Sequence, residues 1–186
     1  MNIQRGFTLV ELMVAIAVLA ILLGIAAPSF RDMTASSDLR STSNELITTL
    51  AQARSEAIKR GGRVTVCMSA NGTACTNVGG WEQGWIMFAD DSRSGAAASL
   101  DAGETVLRTY PKSSNNIVIN GNMTYVSYSA DGLSKNMIGG FLAGTLQVCS
   151  TVTGLADSER ARKFTINDAG RVLVTKPVVA STCPAP

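Results

Sequence analysis

The chain has 186 residues, a formal net charge of +2 and a hydrophobic content of 46%. A net charge this close to zero predicts no general attraction to nucleic acid or to a membrane surface. The sequence contains no histidine, so the commonest acid–base group and metal ligand is missing from any functional site. The length suits one domain, and the hydrophobic content is raised by an apolar N-terminal segment.

This N-terminal segment is the most informative part of the sequence. It reads MNIQRGFTLVE, a short leader with Arg5 followed by Gly6, Phe7 and an apolar run that meets Glu11 almost at once. Residues 12–30 carry no charge, and these 19 residues would form a helix about 28 Å long, close to the ~30 Å hydrocarbon core of a bilayer. We therefore expect the segment to occupy a membrane at some stage.

Glu11 is unusual in such a segment. A carboxylate at the bilayer centre costs roughly 2.5–3.5 kcal/mol on insertion scales, and such residues tend to be paired and functional. In the first turn of a helix, however, the helix dipole would stabilise the charge and the side chain could reach the interface. The residue alone leaves both interpretations open, a tolerated interfacial acid and a functional contact.

The stretch from Gly6 to Glu11, followed by an apolar helix, resembles the class III leader of type IV pilins and type II secretion pseudopilins. The resemblance implies that a membrane aspartyl peptidase cuts between Gly6 and Phe7 and that the new amine is methylated. It also implies that Glu11 pairs with the N-terminal amine of a neighbouring subunit, a contact that a low-dielectric helix bundle would strengthen. The family has a proline near Pro28, which should kink or soften the helix.

An ordinary secretory signal is the alternative interpretation. Arg5 would belong to its n-region, the apolar run would be its h-region, and residues 25–27 would be its cleavage site. An acid at the head of the h-region and a run long enough to span a bilayer both oppose it. N-terminal sequencing separates the two, because the signal interpretation requires a mature start at Pro28.

The helix is predicted to continue as an amphipathic segment over residues 31–62, after an apolar segment over residues 7–30 and a leader over residues 1–6. Apolar residues recur there at spacings of three and four, which places them on one helix face that packs against the domain. They are Leu39, Leu46, Ile47, Leu50, Ala53, Ala57 and Ile58. Lys59 and Arg60 followed by two glycines predict the end of the helix.

After Gly62 the pattern changes from helical to alternating, and eight strands are predicted between turn-forming pieces. They cover residues 63–68, 85–89, 105–110, 116–119, 124–129, 145–150, 162–166 and 171–175. No helical pattern separates them, so the predicted class is α+β with an antiparallel sheet or sandwich domain in residues 63–186. Residues 91–103 are predicted to form a surface loop.

Four cysteines in a chain with an export-type segment suggest disulfides formed in an oxidising compartment. Three pairings are possible. We favour Cys67 with Cys75, which closes a short loop, and Cys149 with Cys183, which would tie the C-terminus to the domain. A zinc site is not predicted, because the sequence has neither a CxxC pair nor a histidine.

Further motifs make the chain similar to the GspH/FimT family. They are ARSEAIKRG at 53–61, VTVC at 64–67, GWIMFAD at 84–90, GETVLR at 103–108 and NDAGRV at 167–172. The resemblance implies a type IV pilin-like fold with a long N-terminal helix packed on an antiparallel sheet domain. It implies a minor pilin of the FimT/FimU type, or alternatively the minor pseudopilin H of type II secretion. Cys67, Cys75 and Trp81 resemble the pilus branch more closely.

The same resemblance implies a structural role at or near the pilus tip or initiation complex. The partners would be other major and minor pilins, or pseudopilins, and the prepilin peptidase. The chain would cross the bacterial inner membrane once, with its C-terminal domain in the periplasm, before it enters a filament. No enzyme motif occurs, and no catalysis or cofactor is predicted. The acidic residues Asp90, Asp91, Asp101 and Glu104 depart from the EF-hand pattern, so a solvated loop is predicted and not a metal site.

DNA uptake in natural transformation is a further alternative. Some FimT-type minor pilins bind DNA through a Gly-Arg-x-Arg motif, and Gly170-Arg171-Val172-Leu173 resembles it without the second arginine. Phosphate binding needs several cations, because each contact adds an increment of counterion release. The candidate contacts are Arg160, Arg162, Lys163, Arg171 and Lys176. Scattered surface charge is the favoured interpretation of these residues.

Overall fold

A computed structural model describes residues 7–92 and 95–186, with residues 25–28 described only in their backbone. Helix α1 spans Leu9–Arg60, so the apolar and amphipathic segments form one helix of 52 residues. It continues through Pro28, and the kink expected there stays a prediction. The leader and the Gly6 side of the cleavage site lie outside the described residues.

The helix ends as the sequence predicts. Gly61 adopts a left-handed conformation with φ of 62°, and its N–H donates to the carbonyl groups of Ala57 and Ile58. This closure satisfies carbonyl groups that would otherwise lack an intrahelical partner. Lys59 and Arg60 both pair with Glu56 at 3.3 Å in the last turns.

Two four-stranded antiparallel sheets follow the helix. Sheet A contains β1 Val64–Met68, β2 Trp85–Ala89, β3 Thr105–Tyr110 and β5 Tyr125–Tyr128, in the order β3-β2-β1-β5. Sheet B contains β4 Ile117–Gly121, β6 Gly144–Ser150, β7 Ala161–Ile166 and β8 Val172–Thr175, in the order β4-β6-β7-β8. The eight predicted strands are confirmed to within two residues at each end, and one 3₁₀ turn, Trp81–Gln83, is added.

The amphipathic half of α1 packs against both sheets. Its buried face carries Leu39, Leu46, Leu50, Ala53 and Ala57, all within the main hydrophobic core. Ile47 is only partly buried. Ile58, which was predicted on the same face, is 53% exposed because it lies at the border of the core, against Gly132.

Two tryptophans fix the centre of this core. The Trp85 indole N–H donates to the Thr49 hydroxyl of α1 at 3.3 Å, and its ring stacks on Tyr110 with centroids 5.3 Å apart. The Trp81 indole N–H donates to the Met123 carbonyl at 2.9 Å. Each ring therefore buries its apolar body while its polar group keeps a partner, which is how large aromatic residues are accommodated in cores.

Arg54 joins α1 to one turn from each sheet. Its Nε donates to the Gly132 carbonyl at 2.9 Å, and one terminal nitrogen donates to the Ala169 carbonyl at 3.0 Å. Gly170 lies so close to the same place that a Cβ there would come within 2.3 Å of the Gly132 oxygen. The turn before β8 is therefore held firmly against α1.

Both disulfides join the cysteines that were paired from the sequence. Cys67 and Cys75 have Cα atoms 5.6 Å apart, and Cys149 and Cys183 have Cα atoms 5.8 Å apart. The C-terminal segment is held further by the side-chain amide of Asn120, which donates to the Cys183 carbonyl at 2.8 Å. The second disulfide thus ties the end of the chain to β6, and the Asn120 hydrogen bond ties it to β4.

Removing the second disulfide should destabilise the protein more than removing the first. Cys149 and Cys183 are 34 residues apart and Cys67 and Cys75 only 8, so the chain-entropy estimate gives about 4 against about 2.5 kcal/mol. We expect this order for the double alanine variants in urea unfolding of the full chain in detergent micelles. Equal losses, or the reverse order, would contradict the loop-length argument.

Candidate assembly interface

The N-terminal half of α1 has no packing partner in the described chain. All residues from 7 to 24 are exposed, including Phe7 at 87% and Leu9 at 74%. By length and composition alone this helix could cross a membrane. A continuous apolar surface of this size marks a contact with lipid or with another protein. The fold therefore presents an interface that the chain cannot bury by itself.

A capping box lies at the N-terminal end of the exposed apolar surface of α1. The Glu11 carboxylate accepts hydrogen bonds from the backbone N–H and the hydroxyl of Thr8, both at 3.0 Å, and the Glu11 N–H donates to that hydroxyl at 3.2 Å. Thr8 is the N-cap of α1. The T-x-x-E spacing at residues 8–11 is the sequence signal that predicts this motif.

This geometry directs the Glu11 carboxylate toward the start of the helix, beside Phe7. The side chain is exposed, and no lysine or arginine among the described residues forms an ion pair with it. A cation brought by a second molecule could therefore reach it. Inside a dry helix bundle the carboxylate would need such a partner, because an unpaired buried charge is strongly destabilising.

The candidate DNA contacts do not form one free cationic surface. Arg160 has a side chain only 3% exposed, pairs with Asp157 at 2.9 Å and donates to the carbonyl groups of Ser150, Val152 and Leu155. It closes the loop between β6 and β7 and has no surface to offer to a phosphate. The sequence-based assignment of Arg160 as a DNA contact is therefore corrected.

Arg162 and Lys176, two further candidate DNA contacts, both pair with Glu159. Glu159 pairs with Lys176 at 3.1 Å and with Arg162 at 3.4 Å, and the Arg162 side chain is only 13% exposed. The hydrogen bond from Lys176, together with the nearby charge of Arg162, lowers the pKa of the Glu159 carboxyl. Lys163 is half-buried on β7, and Arg171 is exposed at the start of β8. Arg171 alone among the five candidates is both exposed and without an ion pair in the described chain.

The acidic residues of the 90–104 region are engaged in local contacts. Asp90 is buried and accepts a hydrogen bond from the Thr65 hydroxyl. Glu104 accepts from the backbone N–H groups of Ser92 and Asp101 at 3.0 and 2.8 Å. Within the described ranges, no three histidine, cysteine or acidic residues are grouped so as to hold a metal ion.

Two family profiles match this chain. The profile of the family described as "Type II transport protein GspH" matches residues 42–170, which include most of the sheet domain. The profile of the prokaryotic N-terminal methylation motif matches residues 1–27, the segment that contains Glu11. The chain belongs to the GspH family. It is thus a pilin-like protein of a structural class whose members assemble with other pilins.

Individual relatives of this GspH-family chain carry pilus names. The chain is 35% identical over 79 residues to a type IV major alpha-pilin of Moraxella bovis, covering 42% of this chain and 48% of that one. It is 29% identical over 133 residues to a fimbrial protein of Pseudomonas aeruginosa, covering 72% and 84%. The chain thus spans about half the length of the Moraxella pilin and most of the Pseudomonas protein.

A crystal structure of the type IV minor pilin FimU of Pseudomonas aeruginosa also aligns with the GspH-family chain. The alignment covers 85% of this chain and 94% of FimU, with 17% sequence identity and a TM-score of 0.49.

The pairing of Glu159 with Lys176 and Arg162 can be tested through the pKa of Glu159. We expect Lys176→Ala to raise the pKa of Glu159 toward the ordinary value of about 4.3, measured by carboxyl-carbon NMR titration. Because the folded-state pKa is lowered, the pairing stabilises the fold above the unfolded-state pKa, and this contribution is lost as the pH falls through the folded value. Lys163→Ala is the control and should leave the titration unchanged. An unchanged midpoint in Lys176→Ala would assign the effect to Arg162.

Proposed function

We propose that this chain is a minor pilin of a type IV pilus, incorporated at or near the initiating tip complex. The observation that carries the proposal is the exposed apolar half of α1 headed by the exposed carboxylate of Glu11. A methylation motif matches the same segment. An isolated molecule can place this surface only in lipid, whereas a filament can bury it in a bundle of neighbouring helices.

Processing would complete the interface. Cleavage between Gly6 and Phe7 creates an amine directly before the N-cap Thr8, and methylation at Phe7 leaves that amine able to carry a positive charge. In a filament, the amine of one subunit would meet Glu11 of its neighbour. The attraction grows as water is excluded, while either charge alone in the bundle would be costly. The correct axial register would therefore be stabilised by this ion pair, and an incorrect register would be destabilised by the unpaired charges.

The proposed location follows from the same elements. Before assembly α1 crosses the inner membrane once, and the sheet domain lies in the periplasm. The two disulfides support this orientation, because disulfide bonds persist in the oxidising periplasm and are rare in the cytosol. On assembly, α1 exchanges lipid for neighbouring helices, and its backbone hydrogen bonds remain satisfied throughout. The prepilin peptidase and the other pilins are the proposed partners.

Charge removal at Glu11 tests the assembly contact. We expect Glu11→Ala and Glu11→Lys to abolish incorporation into sheared filaments and to leave cleavage after Gly6 largely intact, since the peptidase acts before assembly. Immunoblots of the sheared fraction and of the membrane fraction measure the two steps. Glu56→Ala, which removes an acid from the opposite end of α1, is the matched control and should incorporate normally.

Two outcomes would contradict the assembly role of Glu11. Normal amounts of both Glu11 variants in sheared filaments would show that the carboxylate is only a helix cap. Failure of cleavage in both variants would move the role of Glu11 to processing.

Type II secretion is the second candidate function, and the name of the matching family favours it. Deletion of the gene separates it from the pilus. As a minor pilin, the chain should be needed for surface pili and twitching, and its loss should reduce both. As pseudopilin H, its loss should leave secreted enzymes trapped in the periplasm. Reduced transformation with pili intact would instead support DNA capture, for which Arg171 is the best remaining contact.

A further inference from the structure

β8 is an edge strand whose outer side is open. Residues Val172–Thr175 pair with β7 on one side, and on the other side no strand of the described chain pairs with them. The exposed row of backbone donors and acceptors is a template for another strand. β8 carries no proline or charged residue within its four positions, and these are two of the features that commonly block pairing at a sheet edge.

The other three sheet edges are protected. β5 is covered by the segment after it, through hydrogen bonds such as Lys135 N–H to the Ser127 carbonyl at 3.0 Å. β4 is capped by Glu82, whose carboxylate accepts from the Ile119 N–H at 3.1 Å. β3 carries a charged side chain, Arg108, in its centre, which is a common way of discouraging edge pairing. Within the described chain, β8 is therefore the edge best suited to accept a partner strand.

An apolar groove runs beside this edge, between β8 and α1. Val172 and Val174 point to the α1 side of sheet B, because they pair with Ile166 and Phe164, which are buried there. Two hollows, of about 370 and 480 Å³, open along this line and share Ile47 of α1 as a common wall. We call this feature the β8 groove.

The rim of the β8 groove is cationic. Arg40 lines its first hollow and Arg171 its second, and neither forms an ion pair with a described residue. The hydroxyl of Ser43, in the wall of the first hollow, is buried without a hydrogen-bond partner. Buried polar groups are normally satisfied, so an unpaired hydroxyl here is consistent with a polar partner that is absent from the isolated chain.

We propose that the β8 groove binds an extended segment of a neighbouring pilin subunit. The segment adds as a strand to β8, directs alternate apolar side chains onto Val172 and Val174, and places an acidic side chain beside Arg40 or Arg171. This mode of recognition takes its affinity from main-chain hydrogen bonds and its specificity from the pockets for alternate side chains. The inference rests on the proposed role in a filament and names the contact that selects a neighbour.

A peptide fits these features better than DNA or lipid does. The open edge of β8 offers N–H and C=O groups at strand spacing, which another backbone can match. A phosphate would meet the two rim arginines on either side of an apolar floor, without the continuous cationic track that binding along a nucleic-acid backbone uses. An acyl chain would leave the β8 backbone groups and Arg40 without partners, which is unfavourable once water is excluded.

Two matched substitutions on β8 distinguish the role of the groove from that of the opposite face of the strand. Val174→Lys places a charge in the groove, whereas Leu173→Lys makes the same change on the opposite face of the same strand, where Leu173 is 63% exposed. We expect Val174→Lys to reduce incorporation into sheared filaments by at least about tenfold and Leu173→Lys to leave it within about twofold. Arg40→Glu or Arg171→Glu should reproduce the loss, according to which arginine the acidic side chain contacts. Normal disulfide formation and protease resistance in each variant show that the domain has folded.

Cross-linking in assembled filaments identifies the occupant. A photoreactive benzoyl-phenylalanine is placed at Val174, or at Leu173 as the control, in the otherwise intact chain. We expect position 174 alone to cross-link, and the adduct to lie in a strand or loop of another pilin within a few residues of an aspartate or glutamate. An adduct with a helix, with DNA or with lipid would overturn the proposal, as would equal cross-linking at both positions or normal incorporation of Val174→Lys.

These measurements distinguish a failure of the β8-groove proposal from a failure of the proposed pilin function. If the wild-type chain is present in filaments and only the groove predictions fail, the pilin function stands and the groove assignment is wrong. If the wild-type chain never enters filaments, both are wrong.

Discussion

The unburied apolar half of α1 is the constraint on which the rest of this structure depends. Full burial of a leucine, isoleucine or valine side chain is worth about 1.5–3 kcal/mol, and the helix exposes a long series of such residues before its first contact with the domain. The free energy at stake is of the order of tens of kcal/mol, more than a domain's whole folding stability. No rearrangement of the sheets could cover this surface, so the environment of α1 must be supplied by lipid or by other chains.

This constraint explains why the second half of α1 is fixed so firmly. A helix that carries a domain into a filament transmits its position only if the two move as one body. Leu46 and Leu50 provide apolar contact, Trp85 hydrogen-bonds to Thr49, and Arg54 reaches turns of both sheets. The cysteine bridges add cross-links within the domain and not to the helix. They stabilise the sheets themselves, while apolar packing and these hydrogen bonds join the domain to α1.

Local patterns in the sequence were sufficient to predict the helix and the strands. They were not sufficient to predict which groups an individual side chain contacts. The strands were predictable because alternation and turn residues are local signals, and the end of α1 because Gly61 follows two basic residues. Arg160 was misassigned because a loop of 10 residues folds its carbonyl groups around the guanidinium, which no local pattern reveals. The division into two sheets and the open side of β8 depend on strand order. That order is a property of the complete topology.

Glu11 and the β8 groove would contact a neighbouring subunit at two separate positions along α1. From Glu11 to Arg40 there are 29 residues, which corresponds to about 44 Å along a straight helix. In the proposed assembly the lower contact, at Glu11, would be electrostatic, so it could set axial register but could not identify which pilin has arrived. The upper contact, at the β8 groove, would depend on the side chains of one extended segment and could therefore discriminate between neighbours. A surface used head to tail also builds an open filament and not a closed ring, provided that successive rotations do not close. An assembly that combines a general register contact with a selective one can therefore place a minor subunit at a defined position among many similar ones.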